Sequence, residues 1–154
     1  MSGFVYPTKP NTTDYLTFLR QGVGIPDADL PDDSMWVPVT LNIAIGQVSL
    51  QLACLNTPIY PLACYNLAAD RLINYAIDLP QRSYFTDLRK SLGVTSFAAG
   101  LVSSSGDAGT SQSLEVIEAA KKMTLTDLQL AKTPYGRAYM GIAQSYGPTI
   151  WGLT

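Results

Sequence analysis

The stretch from Ser34 to Ala69 contains no Asp, Glu, Lys or Arg, and this feature constrains the fold more than any other. Its first part, Pro38 to Leu55, predicts one helix because apolar residues recur there at steps of three and four. The residues on this stripe are Leu41, Ile45, Val48, Leu52 and Leu55. A helix of this kind packs its stripe against a partner helix.

The partner follows after the Asn56-Thr57-Pro58 break and is expected to end at Pro80. Its apolar residues recur at the same steps, namely Leu62, Tyr65, Ala69, Leu72, Ala76 and Leu79. The two stripes can face each other, so the sequence predicts a core helical hairpin from Pro38 to Leu79.

The first arm also carries apolar residues away from its stripe, at Val39, Ile43, Leu50 and Cys54. A single partner helix would leave this second apolar face uncovered. We therefore predict that the hairpin is both the core of the subunit and part of the wall between subunits, with Ile43 and Leu50 as inter-subunit contacts.

The whole chain predicts a mainly α, single-domain helical bundle around the hairpin, with extended N- and C-terminal arms and a long Ser/Gly-rich loop. The expected parts are an extended arm over 1–11, the bundle over 12–93, a loop or arm over 94–113, C-terminal helices over 114–146 and a docking tail over 147–154. The segment from Val94 to Val102 is also compatible with a short β-hairpin.

Local signals set the expected helix limits. They predict a first helix that starts at Thr12 or Thr13 and stops at Gly22, and a short helix near Tyr84 to Leu92 that is closed by Gly93. Near the end of the chain, the capping pair Thr124 and Asp127 predicts a helix from Leu125 to Lys132. A last helix is expected from Pro134 to about Ser145.

Charge is scarce throughout the sequence. Charged residues make up 14% of the chain, against roughly 25% in soluble domains, which indicates surface that is buried in an assembly. The net charge is -2 and there is no basic run, so a groove that binds nucleic acid by neutralising phosphates is not expected. Neither a secretory signal nor a membrane span is apparent, and we expect synthesis in the cytosol.

The sequence offers little catalytic chemistry. It has no histidine, which removes the commonest general base and metal ligand, and we predict no catalytic residue, no metal and no cofactor. Cys54 and Cys64 lie near the turn of the hairpin, where a disulfide is sterically conceivable, but in a chain without export features we expect two buried free thiols. Arg82, Arg89 and Lys90 form a small basic group of undecided role.

Two segments suit binding because they cannot stabilise themselves. The tail offers Tyr146, Pro148, Ile150, Trp151 and Leu153 as partner-binding residues. The alternative is that Trp151 folds back onto its own core. In the loop, Ser105, Gly106 and Gly109 are candidate contacts with a neighbouring subunit, and a flexible surface excursion is the alternative.

The low-charge hairpin, the Ser/Gly-rich insertion at Ser103 to Ser113 and the ending from Thr133-Pro-Tyr-Gly-Arg137 through Tyr146-Gly-Pro-Thr-Ile-Trp151-Gly-Leu together resemble a tailed-bacteriophage head-to-tail connector, or adaptor, protein. The resemblance covers the general layout from about Thr12 onward and includes no motif of fixed chemical residues.

The resemblance implies a non-enzymatic virion protein that forms a homo-oligomeric ring, commonly a dodecamer, beneath the portal protein. It also implies contacts with other neck or tail proteins, and DNA passing through the lumen without specific binding. A tail-side neck component, such as a stopper or tail-completion protein, is a second interpretation. A small helical enzyme or lysis factor that uses Asp70, Asp78 or Glu115 is a third.

Overall fold

The computed structural model describes residues 9–55, 58–95 and 123–146. Regular structure within them is helical, which confirms the mainly α prediction. The helices are α1 (Thr12–Thr17), which continues as a π-helical turn (Phe18–Val23), α2 (Trp36–Gln47), α3 (Gln51–Leu55), α4 (Ile59–Tyr75), α5 (Tyr84–Ser91), α6 (Leu125–Leu130) and α7 (Pro134–Tyr146). The N-terminal arm before Lys9, most of the Ser/Gly-rich loop and the docking tail lie outside the described residues.

Helix α4 is the centre of the subunit. It packs against α2 and α7, and also touches α3, α5 and the π-helical turn. Its buried residues surround the helix and are Tyr60, Pro61, Ala63, Cys64, Tyr65, Asn66, Leu67, Ala68, Ala69, Asp70, Arg71, Leu72 and Ile73. The predicted stripe was therefore too narrow, because α4 is covered from several sides and not by one partner helix.

The first predicted arm is not one helix. Val48 adopts an extended conformation with ψ of 132° and separates α2 from α3. Gln47, the last residue of α2, accepts two 3.3 Å hydrogen bonds from Arg71, which lies well inside α4. The two arms do pack together, as predicted, and the first arm consists of α2 and the short helix α3.

The second arm ends before the predicted limit. Helix α4 stops at Tyr75, where Ala76 turns extended with ψ of 135°. Pro80 therefore lies in the following linker and does not terminate the helix. Leu62 and Leu79, placed on the buried stripe by the sequence, are both exposed.

The first helix begins at Thr12, as predicted, but its capping residue and its end differ from the prediction. Asn11 caps α1, because its side-chain oxygen accepts a 2.8 Å hydrogen bond from the amide of Asp14. Gly22 lies inside the π-helical turn, and the chain leaves the helix at Gly24, whose φ of 83° favours glycine.

The predicted starts of the last two helices are confirmed. Thr124 and Asp127 form a reciprocal capping box at α6, and α7 begins at Pro134. Helix α6 ends at Leu130, two residues before the predicted limit.

Candidate functional site

The outer face of α2 is apolar and exposed. Met35 is 65% exposed and Val39 39% exposed, and Ile43 is half-buried. Because these three residues are spaced by four, they lie along one side of the helix. We call Met35, Val39 and Ile43 the α2 strip. Leu50, in the turn before α3, is a further exposed apolar residue, with 71% of its surface accessible.

The inner face of α2 is already occupied by the core. Val37, Leu41 and Ala44 are buried. Thr40 lies among them fully buried, and its hydroxyl donates a 2.7 Å hydrogen bond to the carbonyl oxygen of Trp36. Helix α2 is thus apolar on two sides, and the subunit covers only one of them.

All arginines of the chain lie in the described residues, and each guanidinium is bonded within the subunit. The partners are Asp27, Asp32 and the carbonyl oxygens of Ile25 and Leu30 for Arg20, Gln47 for Arg71, Asp29 for Arg82, the carbonyl oxygens of Ile73 and Ala76 for Arg89, and the carbonyl oxygen of Ala131 for Arg137. These cations serve internal contacts.

The predicted basic group is therefore not a free patch. Arg89 donates to the carbonyl oxygens at the end of α4, and Arg82 forms a 3.0 Å ion pair with Asp29. Lys90 is exposed and lies 3.9 Å from Asp87. Only Lys90 of the three presents its charge mainly to solvent.

A buried polar junction joins α4 to the start of α7. The hydroxyl of Thr133 donates a 2.5 Å hydrogen bond to Oδ1 of Asp70 and accepts a 2.9 Å hydrogen bond from the amide of Gly136. The side chains of Asp70 and Thr133 are both fully buried. Thr133 thus satisfies a free amide in the first turn of α7, and Asp70 holds Thr133 in place.

The Asp70 carboxyl group is incompletely bonded. Oδ2 is buried and accepts no hydrogen bond, and the nearest guanidinium nitrogen of Arg71 is 3.7 Å away. Burial raises the pKa of Asp70 to about 6, although the Thr133 hydrogen bond and the charge of Arg71 act to lower this pKa.

A pocket of about 210 Å³ lies next to this junction. Arg71 and Gln47 supply its polar side, with Asp127 of α6, and Leu67, Leu130 and Met140 supply apolar walls. Asp70 is not among the lining residues, so its carboxyl group does not face the pocket. The enzyme interpretation required two acids in one cleft, and the pocket brings in only Asp127.

Asp78 has a different role from Asp70. Its carboxylate accepts hydrogen bonds from the amides of Phe85 and Thr86 and from the Thr86 hydroxyl, at 2.6, 3.0 and 2.5 Å. Desolvation raises the pKa of Asp78, but these bonds and the charge of Arg89 outweigh it, and the pKa is lowered overall. Asp78 is an ionised cap for α5, and Glu115 lies outside the described residues.

The structure positions three of the residues predicted for binding. Tyr146 is the last residue of α7 and is 40% exposed, Leu50 is exposed and Ile43 is half-buried. The other predicted contacts lie outside the described residues, namely Ser105, Gly106, Gly109, Pro148, Ile150, Trp151 and Leu153.

The two cysteines are free, as expected, but only Cys64 is buried. Cys54 is exposed on α3, because the break at Val48 turns this short helix away from the course that a continuous first arm would have followed. Burial raises the pKa of the Cys64 thiol to about 11, while a hydrogen bond with Tyr60 acts to lower it.

Among the described residues, no group of three or more histidine, cysteine or acidic side chains is arranged to hold a metal ion. None of the described helices is both long and apolar enough to cross a membrane.

Comparison with known proteins finds no matching family model, no matching curated protein and no matching solved structure.

Proposed function

We propose that this chain is a structural subunit of the neck of a tailed bacteriophage, a head-to-tail connector that assembles with copies of itself through the α2 strip. The observation that carries the proposal is the uncovered apolar face of α2. Met35 and Val39 are exposed there, in a stretch of sequence that has no charged residue from Ser34 to Ala69. The remaining support is the resemblance described above.

The chemistry of the α2 strip suits contact with another protein. Pro38 and Asn42 are the exposed residues between its apolar positions, so close packing there would bury no charge. Burial of a charged group without a partner is what makes most protein surfaces poor interfaces. A second copy of the chain is the occupant that a ring would supply.

The internal use of the arginines suits a passage for DNA. Tight DNA binding needs lysine and arginine side chains that are free to contact phosphates. Each arginine of this chain is already bonded within the subunit, and the net charge is -2. A ring of such subunits would let DNA slide through without holding it.

The first experiment tests the α2 strip. Val39→Asp should lower the fraction of assembled chain at least tenfold in mass photometry, alone or with purified portal protein, because each contact would bury an unpaired carboxylate. Helical circular dichroism should stay unchanged, since Val39 points to solvent. Leu50→Asp extends the test, whereas Ile43→Asp would also perturb the half-buried side of α2.

Ile77→Asp is the matched control. Ile77 is an exposed aliphatic residue of the linker after α4, 70% accessible, and the proposal gives it no contact. Normal assembly of Val39→Asp would overturn the role of the strip. An equal loss with Ile77→Asp would also overturn it, because the effect would then reflect any added surface charge.

A second experiment tests the portal partner. A chain that stops after Tyr146 lacks Pro148, Ile150, Trp151 and Leu153, and it should lose portal docking while retaining its helical content. Docking by the shortened chain would remove the tail from the proposal. Failure of the intact chain to form any complex with the portal would contradict the connector function itself, and a complex with tail proteins alone would favour the stopper interpretation.

A further inference from the structure

The junction between α4 and α7 is built around one carboxyl group. Asp70 reaches the first turn of α7 through Thr133, and Gly136 allows the closest approach. A Cβ on Gly136 would lie 2.9 Å from Oδ1 of Asp70 and 2.1 Å from the carbonyl oxygen of Leu130. The first turn of α7 therefore packs so closely against the Asp70 side chain that no residue larger than glycine fits at position 136.

The two protonation states of this group differ in what they cost. The neutral carboxyl group accepts the Thr133 hydrogen bond at Oδ1 and buries no charge. The ionised group keeps that bond but carries a buried negative charge, and its Oδ2 accepts no hydrogen bond. The nearest cation is the Arg71 guanidinium, whose closest nitrogen is 3.7 Å from Oδ2. A buried charge with one hydrogen bond is more costly than a buried neutral hydroxyl.

We propose that Asp70 is a proton-operated latch for α7: its neutral form holds the first turn of α7 against α4 through Thr133, and its ionisation weakens the junction so that α7 opens more often. The latch does not depend on the connector function, because it follows from contacts inside one subunit.

The charged and titratable groups on the elements packed around Asp70 set how much its ionisation costs. The positive charge of Arg71 on α4 stabilises ionised Asp70, but the same guanidinium also donates hydrogen bonds to Gln47 of α2. Asp127 of α6 and Tyr139 of α7 line the same pocket as Arg71, and the Asp127 carboxylate accepts hydrogen bonds from the amide and hydroxyl of Thr124. Arg89 of α5 and Arg20 of the π-helical turn are bound to carbonyl oxygens elsewhere.

The sign of the pH dependence follows from proton linkage. The pKa of Asp70 is about 6 when α7 is docked, and it returns towards its ordinary value of 3.8 when the group becomes solvated. The docked state therefore binds more protons between these two values, and docking weakens as the pH rises through them. The ratio of open to docked α7 should rise about tenfold between pH 5.0 and pH 7.5.

The test uses the intact chain and two readouts. Carbon-13 NMR of the carboxyl groups should show Asp70 titrating near pH 6. Hydrogen exchange at pH 5.0 and pH 7.5, corrected for the intrinsic exchange rate, should show about tenfold more opening of α7 amides at the higher pH, while α2 amides change less than twofold. A midpoint near pH 4, or equal changes in α2 and α7, would overturn the latch.

Two substitutions separate the latch from simple packing. Asp70→Asn removes the ionisable group and should abolish the pH dependence of α7 opening. Thr133→Ser keeps the hydroxyl and should retain it. Persistence of the tenfold change in Asp70→Asn would contradict the proposal, and if this variant does not fold, the NMR and exchange measurements on the unsubstituted chain decide the question.

Discussion

Gly136 approaches Leu130 so closely that a Cβ on the glycine would stand 2.1 Å from the carbonyl oxygen and 2.8 Å from the carbonyl carbon of Leu130. Both atoms belong to the backbone at the end of α6 and cannot rotate away. The turn between α6 and α7 is therefore possible only with glycine at this position. Because Asp70 of α4 lies 2.9 Å from the same point, the glycine also sets the distance between α7 and the central helix.

Gly136→Ala should lower the free energy of unfolding by about 3 kcal/mol, near the upper end of what overpacking usually costs. Gly141→Ala is the matched control on the same helix, because a Cβ there would meet nothing within 4 Å. The control should raise stability by about 0.5 to 1 kcal/mol through helix propensity. Urea unfolding followed by circular dichroism measures both, and equal effects of the two variants would contradict the close approach.

Asp78 caps α5 from outside the helix, so its substitution should act through charge and hydrogen bonding. Asp78→Ala should lower the free energy of unfolding by about 1 to 2 kcal/mol at pH 7, in the range of helix N-caps. Because the pKa of Asp78 is lowered in the fold, its contribution is present above the ordinary pKa of 3.8 and is lost as the pH falls through the lowered value.

The stability difference between the unsubstituted chain and Asp78→Ala should therefore shrink in strongly acidic solution. The exposed residue Asp33 provides a control, and Asp33→Ala should change stability by less than about 0.5 kcal/mol at either pH. The pH dependence of the Asp70 contribution has the opposite sign, because the fold raises the pKa of Asp70. A difference at Asp78 that grows on acidification would show that the cap is not formed by the carboxylate.

Local sequence signals predicted those parts of the fold that short-range hydrogen bonds determine. Thr124 and Asp127 cap α6, and Thr133-Pro134 precedes α7, as read from the sequence. The break at Val48 escaped prediction, because the apolar spacing runs through it without interruption. An extended residue inside an apolar run is decided by what packs around it, which a single sequence does not display.

Of the candidate sites, the apolar face of the hairpin could be predicted from the sequence, whereas the buried polar junction could not. Exposure of Leu50 and partial exposure of Ile43 agree with an apolar face left uncovered by the subunit, whereas the Asp70–Thr133 junction was missed. Asp70 and Thr133 are far apart in sequence, and the Thr133-Pro134 pair predicts only the start of a helix. An acid directly after the charge-free stretch was the one available signal, since a carboxyl group at the end of an apolar helix segment needs a buried partner.

Arg20 organises the acidic loop that precedes α2, and its substitution should show how much of the loop depends on one side chain. The guanidinium donates to the carbonyl oxygens of Ile25 and Leu30 at 3.0 and 2.6 Å, and it pairs with Asp27 and Asp32. Lysine has one charged nitrogen and cannot reproduce this fork. Arg20→Lys should cost about 2 kcal/mol in the free energy of unfolding.

Arg137→Lys is the control for this change. Arg137 is exposed and makes one hydrogen bond, of 2.8 Å, to the carbonyl oxygen of Ala131. Its substitution should cost less than about 0.5 kcal/mol. Thermal unfolding of both variants measures the difference, and an Arg20→Lys variant as stable as the control would mean that the loop is held by its buried residues, Ile25 and Leu30.

The two cysteines should differ sharply in reactivity, because one is exposed and the other lies fully buried in α4. Iodoacetamide at pH 8 should label Cys54 in the folded chain and leave Cys64 untouched. With a pKa of about 11, the Cys64 thiol is ionised in only about one molecule in a thousand at that pH, and its burial excludes the reagent as well. Mass spectrometry of the digested chain reads out each site.

Cys54→Ser leaves Cys64 as the single thiol and should make the folded chain resistant to labelling, with reaction restored in 6 M urea. The substitution itself should change stability by less than about 0.5 kcal/mol, since Cys54 is exposed.

Cys64→Ser should instead destabilise the fold by about 1 to 3 kcal/mol, because it buries a stronger hydrogen-bonding group at the centre of α4. Labelling of Cys64 as fast as Cys54 in the folded chain would contradict the central, enclosed position of α4. Protection of both thiols until a reductant is added would show a disulfide and contradict the two free thiols of the structure.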